Sequence, residues 1–543
     1  WLKIVLFHNW QLVSVCKTFP FRIMSLRVLS AVGLLSFSVC AVRVRQPEVG
    51  GSVGSGTVDM SNVVLLTTGN LYNNDFVKLV SIADNPVGVT GDQSMIESVL
   101  LQKVPYYETM EWKHNFATDV EETVRSQVKG GALLETFLKN CPKEALGMNA
   151  GTVKRYVNSS HIRRVAAHAD FYFEHQEALA KASKDLAEYI KRERNFKDWL
   201  LSRLGQVSDK LKEQRPLKVL LFTENIAGFG NAYNIQRVGN IVKSFESAQI
   251  KTVVTTISME PGSVATPAAL KEAFPDWTVP VGDWITQAEA LLGEVASFSP
   301  DLVIAAPVTS LRGDVLYQIR HVLEKRMKIE TIWLGEYASG KRMGNGTYDL
   351  QSMGIASGDA GVVVPDLEAK LSARFQGEAA ATLARVAEHV AGKKLFLFAY
   401  LHSEDAVRDY LLFAREMSRR SGKQAIVVMP RMKCVDGAEK DFRNMHGMLS
   451  SLIGDKGAFG DTLKVFYVGQ PEDDVLQWSA VEDKCVAVKK KHLKNFSGSQ
   501  AVVSSVHGLL DILGASELKE TLSDSSIIEL TEAESHGLKV EAL

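Results

Sequence analysis

Cysteine is scarce in this chain. Five are spread through 543 residues (Cys16, Cys40, Cys141, Cys434 and Cys485), with no Cys-x-x-Cys pair and no Cys/His metal spacing. That excludes a disulfide framework and a cysteine-held metal as organising devices. An excess of one charge is missing too: 62 basic residues face 63 acidic ones, for a net charge of −1. Nothing therefore favours nucleic acid as a general partner. The chain also lacks a long apolar run. The stretch Val28–Val42 falls short of the ~20 residues a membrane-spanning helix needs. The one Gly-x-Ser-x-Gly match, Gly50-Gly51-Ser52-Val53-Gly54, lies in a glycine- and serine-rich stretch rather than at a strand-to-helix elbow, and there is no Walker loop, His-Glu-x-x-His or Asp-x-Asp pattern. Serine hydrolase, NTPase, zinc protease and metal-dependent sugar-transfer chemistry lose their usual signatures.

What is present is the profile of a folded protein, 46% apolar and 23% charged. The length suits three or four lobes of ~150 residues. Trp1 stands first, and Met24 begins MSLRVLSAVGLLSFSVCAVRVRQ. Basic Arg27, the apolar stretch to Val42 and the small-residue site Val39-Cys40-Ala41 read as a secretory signal peptide, with residues 1–23 upstream of its start. Three sequons, at Asn158, Asn345 and Asn495, are compatible with export. The expected location is the secretory pathway or outside the cell, and otherwise the cytoplasm, with no transmembrane span in the mature chain. Residues 50–56, GGSVGSG, form a flexible linker that closes a leader segment, 1–56.

From there apolar strand patterns alternate with helical ones. Strands are expected at 62–68, 87–89 and 104–107, with helices at 75–83 and 95–101. A charged helical segment runs from 117 to about 214, carrying His168, His175, Phe171, Tyr172 and Phe173 at packing spacing. After Arg215-Pro216, strands are expected at 217–222, 251–257, 301–305, 330–334 and 361–364, then at 394–400, 424–429 and 463–468. This is an α/β pattern of doubly wound parallel sheets, Rossmann-like lobes with a helical segment between two of them.

The stretch Val89–Phe116 draws most of the chemistry. A strand feeding a small-residue turn that opens a helix gathers free N–H groups and the positive end of the helix dipole, which suits a phosphate. Here the turn is Thr90-Gly91-Asp92-Gln93-Ser94, and Glu97 follows one turn into the helix. Gly91, Ser94 and Glu97, with a later polar loop of Glu111 and His114-Asn115, resemble the nucleotide-sugar-binding lobe of GT-B glycosyltransferases. The resemblance is to the bacterial enzymes that build the peptidoglycan disaccharide. It implies a turn facing the diphosphate of a nucleotide-sugar co-substrate, a ribose held by Glu97, and a donor sugar near Glu111 and His114. No bound cofactor is expected, and with no Cys/His spacing or Asp-x-Asp motif no metal is expected either. The family has Ser-Gly-Gly or Ser-Gly-Ala where this chain has Thr90-Gly91-Asp92.

Two further strand ends fit the same plan. Gly228, Gly230 and Asn231 follow the strand at 217–222 without completing a Gly-x-Gly-x-x-Gly fingerprint. His402 and Ser403 follow the strand at 394–400. The chain also resembles itself: 463–488 aligns with 62–89, placing Asp474 against Asp75, and 503–511 aligns with 89–97, placing Ser504, Ser505 and Asp511 where Thr90, Gly91 and Glu97 stand. The expected division is a partial donor lobe with helical extension at 57–216, an acceptor lobe at 217–390 and a donor lobe at 391–543, a tandem or truncated pair. Glu224, Glu336 and His402 are the candidate bases for activating an acceptor hydroxyl on a glycan, lipid or protein. The alternative function is a catalytically inactive, secreted GT-B-like protein that binds a carbohydrate or a protein partner.

Overall fold

The computed structural model describes residues 58–68, 71–110, 113–143, 159–211, 215–223, 229–245, 251–258, 284–308, 318–335, 351–352, 355, 361–430, 459, 462–468, 475–479, 484–488 and 500–503. The first strand, β1 (Val63–Thr68), is buried at all six positions. A strand apolar on both faces belongs in a parallel sheet covered by helices on both sides. Helix α1 (Asn73–Ile82), β2 (Val87–Thr90), α2 (Asp92–Leu100) and β3 (Pro105–Glu108) follow, close to their expected bounds. Four helices come next: α3 (His114–Gln127), α4 (Gly131–Lys139), the 35-residue α5 (Ser159–Glu193) and α6 (Phe196–Asp209). Along α5 the buried Val165, His168, Ala169, Tyr172, Leu179, Ala182, Leu186 and Ile190 recur at helical spacing, which lays one stripe against the core. As the sequence suggested, His168 and Tyr172 are packing groups.

The chain then builds a second sheet. It comprises β4 (Leu217–Thr223), α7 (Phe229–Ser244), β5 (Thr252–Ser258), α8 (Trp284–Phe298), β6 (Leu302–Val308), a π-helical turn (Val322–Arg326), β7 (Glu330–Gly335) and the short β8 (Gln351–Ser352). Its order is β5-β4-β6-β7-β8, all parallel. Alternation along β4 makes it doubly wound. Leu217, Val219 and Leu221 pack with Leu200, Leu204, Ile235 and Val238 of α6 and α7. Leu220 and Phe222 pack on the other face with Leu291, Val295 and Leu323.

The expected strand at 361–364 is absent from the sheet. Val362 instead bridges Asn195, its N–H donating to the Arg194 carbonyl at 2.7 Å and its carbonyl accepting from Phe196 at 2.8 Å. The two segments that carry the chain out of the first lobe and back are thus bonded to each other.

On its return the chain forms α9 (Leu367–Ser372), α10 (Glu378–Val390), β9 (Leu395–Tyr400), α11 (Glu404–Ser421), β10 (Ala425–Pro430) and β11 (Lys464–Val468). An antiparallel hairpin, β12 (Val475–Ser479) with β13 (Lys484–Val488), and β14 (Gln500–Val503) complete it. These returning strands join the first three in one seven-stranded parallel sheet, β14-β11-β1-β10-β9-β2-β3.

That order corrects the expected domains. Residues 57–216 and 391–543 do not hold two copies of a lobe. β1 lies between β10 and β11, and β9 is bonded to β2, so neither set of strands has a complete sheet without the other. The second lobe ends near 352 rather than 390, because Val362, Ala380, Leu383, Val386 and Val390 pack into the first lobe's core. The aligned strands β1 and β11 are neighbours, in register from Val64 opposite Lys464 to Thr68 opposite Val468. Their likeness reflects one shared requirement, burial on both faces. Where α1 follows β1, the hairpin strand β12 follows β11, which breaks the repeat. Among the described residues no helix is long and apolar enough to cross a membrane.

Candidate functional site

In an open parallel sheet, chemistry gathers at the strands' C-terminal edge. In the first sheet that edge carries Thr90, opposite Glu108, and Val89, opposite Tyr400. Gly91 follows Thr90 with φ of +77° and caps α2. A side chain there would meet no neighbour within 4 Å, so the position calls for glycine's backbone rather than for space. Gly91, Asp92, Gln93 and Ser94 are partly exposed, whereas Thr90 is buried and its Oγ1 has no hydrogen-bond partner.

Asp92, the acid that departs from the family pattern, is partnered from within the chain. Lys113, at the head of α3, lies 2.9 Å from its Oδ2, and the Tyr107 hydroxyl donates to Oδ1 at 3.5 Å. Glu97 departs further from its expected role. It is 1% exposed, and its Oε1 accepts from Gln93 Nε2 at 2.9 Å and from Lys370 Nζ of α9 at 2.6 Å. A carboxylate held by two donors inside the fold is not presented to a ribose.

The second expected phosphate turn is also taken. The N–H groups of His402 and Ser403, at the head of α11, donate to Glu108 Oε2 at 2.6 Å and Oε1 at 2.8 Å. Ser403 caps the helix, its side chain accepting from Ala406 N–H at 3.2 Å. The buried Glu108 carboxylate therefore occupies the position an anion would take. Asp75 repeats the device: buried in α1, it accepts from the N–H groups of Gln376 at 3.1 Å and Gly377 at 2.8 Å, where α10 begins.

His402 keeps part of its surface exposed, but both ring nitrogens are buried, and its ring meets Tyr400 edge-on at 5.3 Å. Burial first, and the Lys113 charge second, push its pKa down to about 3. Its imidazole is neutral at pH 7, and a pKa so far below the working pH makes a weak general base.

The structure thus brings Thr90, Gly91, Asp92, Gln93, Ser94, Glu97, His402 and Ser403 to one edge of the first sheet. His114 opens α3 beside Lys113. Gly230 and Asn231 lie in the first turn of α7, in the other lobe. Glu111, Glu224, Gly228, Glu336, Ser504, Ser505 and Asp511 lie outside the described residues. Among the described residues no group of three His, Cys, Asp or Glu side chains is placed to hold a metal ion.

Sequence reasoning missed Glu108, Lys113 and Lys370. Glu108 left a signal, an acid ending the apolar strand Pro105–Glu108. Lys370 left none, because it is 273 residues from its partner.

No family model matches the chain, and no curated protein does. Among solved structures, dTDP-glucose 4,6-dehydratase from Bacillus anthracis, in complex with NAD, is similar at 12% identity and a TM-score of 0.18, over 39% of this chain and 84% of that one. Full-length LpoA from Haemophilus influenzae is similar at 9% identity and a TM-score of 0.15, over 77% of this chain and 69% of that one. Likeness at such TM-scores carries no inference about this chain.

Proposed function

We propose that the chain is a non-catalytic α/β binding protein rather than a sugar transferase. Its ligand face is the edge of the first sheet around Gly91–Ser94. The observation that carries this reading is the Glu108 carboxylate on the N–H groups of His402 and Ser403. Hydrogen bonds to an ionised group contribute about 1.5–3 kcal/mol. A diphosphate would have to displace them and then sit among Asp92, Glu97 and Glu108. The accessible groups are instead mixed and close to neutral: the Asp92–Lys113 pair, the Gln93 amide and the Ser94 hydroxyl. Such a surface suits an unphosphorylated polar ligand, and a free saccharide is the class we favour. The leader that begins at Met24 would carry it into the secretory pathway.

The transferase reading keeps one observation in its favour. The turn at the head of α2 is partly exposed and has glycine at its positive-φ position. A thermal-shift panel separates the two. The expected result is no response to UDP-, GDP- or CMP-sugars, and stabilisation by one class of free saccharide that is lost in Asp92→Asn. Stabilisation by one nucleotide class, lost in Glu97→Ala, would restore the transferase.

A further inference from the structure

The segment 361–377 returns the chain from the second lobe to the first, and three charged side chains of the first lobe fasten it. Asp75 of α1 accepts the N–H groups of Gln376 and Gly377. Lys78, also of α1, donates to the Ala373 carbonyl and lies 4.3 Å from the centre of the Phe375 ring. Glu97 of α2 accepts from Lys370. The first two fastenings are ordinary anchoring, a helix terminus satisfied by an acid and a cation on a carbonyl. The third differs, because the same Glu97 oxygen also accepts from Gln93, in the partly exposed turn at the head of α2.

We infer that Glu97 couples this turn to the interlobe strap. A buried carboxylate oxygen with two donors holds each according to what the other does. When Gln93 turns its amide outward, toward a ligand or solvent, Glu97 keeps only Lys370 to offset its burial. The strap's hold on the first lobe then depends on the state of a turn to which it is tied through that one oxygen. The strap carries Val362, which is bonded to the outgoing segment at Arg194 and Phe196, so a change at α9 lies on the path between the lobes. This coupling does not depend on which ligand the protein takes.

Hydrogen exchange on the full chain without ligand, read over peptides spanning 366–377, tests it. Lys370→Met should speed exchange there by at least about tenfold, as expected for loss of a mostly buried ion pair, while β1 and β10 stay protected. Lys370→Arg should restore protection. Gln93→Ala, a change at the partly exposed turn, should shift exchange in the same strap peptides. If Gln93→Ala leaves the strap like wild type while Lys370→Met loosens it, Glu97 is a plain fastening and the coupling is wrong. If neither variant changes the strap, the fastening itself is wrong.

Discussion

At the scale of single residues, what distinguishes this chain is where its acids sit. Asp75 and Glu108 each receive two backbone N–H groups at the start of a helix, the role a bound anion fills elsewhere. Glu108→Gln keeps the shape and one acceptor oxygen but loses the charge. It should lower unfolding stability by about 1–3 kcal/mol in urea titrations. His168 gives a pH prediction. Its ring packs against Phe137 at 4.6 Å and Phe413 at 5.4 Å, and Nε2 lies 3.1 Å from the Phe137 carbonyl. Burial pushes its pKa from 6.5 down to about 4, against the smaller upward pull of that carbonyl. The unfolded chain therefore binds the proton first. His168's contribution to stability is complete above pH 6.5 and is lost as pH falls toward 4, by up to about 3 kcal/mol. His402 acts in the same direction. Melting temperatures measured from pH 7 to pH 4 should decline, and His168→Phe should flatten the decline. At this scale the sequence revealed which residues crowd the turn but not their partners. Asp92 stood out as a departure from Ser-Gly-Gly or Ser-Gly-Ala, yet its pairing with Lys113 required the fold.

At the scale of elements, legibility was high wherever one segment's own pattern decides its state. The strands at 63–68, 217–223, 302–308, 395–400 and 425–430 are apolar runs too short for helices, and each was legible for that reason. The segment at 361–364 shares that composition but is a crossing, and among the described residues Val362 pairs with Asn195 rather than with a strand of either sheet. Its glycine explains how the crossing closes. Gly361 has φ of +78°, and a Cβ there would collide with the Arg194 carbonyl, the group that accepts from Val362. Gly361→Ala should therefore destabilise by about 2 kcal/mol or more, from the disfavoured φ together with the collision. Denaturant melts of this variant beside Gly205→Ala, in α6 where a Cβ meets nothing within 4 Å, would check it.

At the scale of the whole molecule, the sequence misled for a physical reason. Parallel strands buried on both faces converge on the same Val, Leu and Phe composition, so β1 and β11 look like copies when they are partners. Pairings separated by some 400 residues leave no local trace. The consequence is that the first lobe is not a contiguous domain. A fragment of residues 57–216 lacks both strands that flank β1, and it should be unfolded by circular dichroism when made alone. The functional reading rests at this scale too, because the acid on β3 reaches the head of α11 only when the returning chain has entered the sheet. The most direct test is calorimetric titration of inorganic pyrophosphate and of UDP into the full chain and into Glu108→Ala, at pH 7. The expected result is no saturable heat from wild type, and weak pyrophosphate binding in the variant, where the N–H groups of His402 and Ser403 are bared. Saturable binding by wild type as tight as by the variant would contradict the claim that Glu108 holds the anion's place.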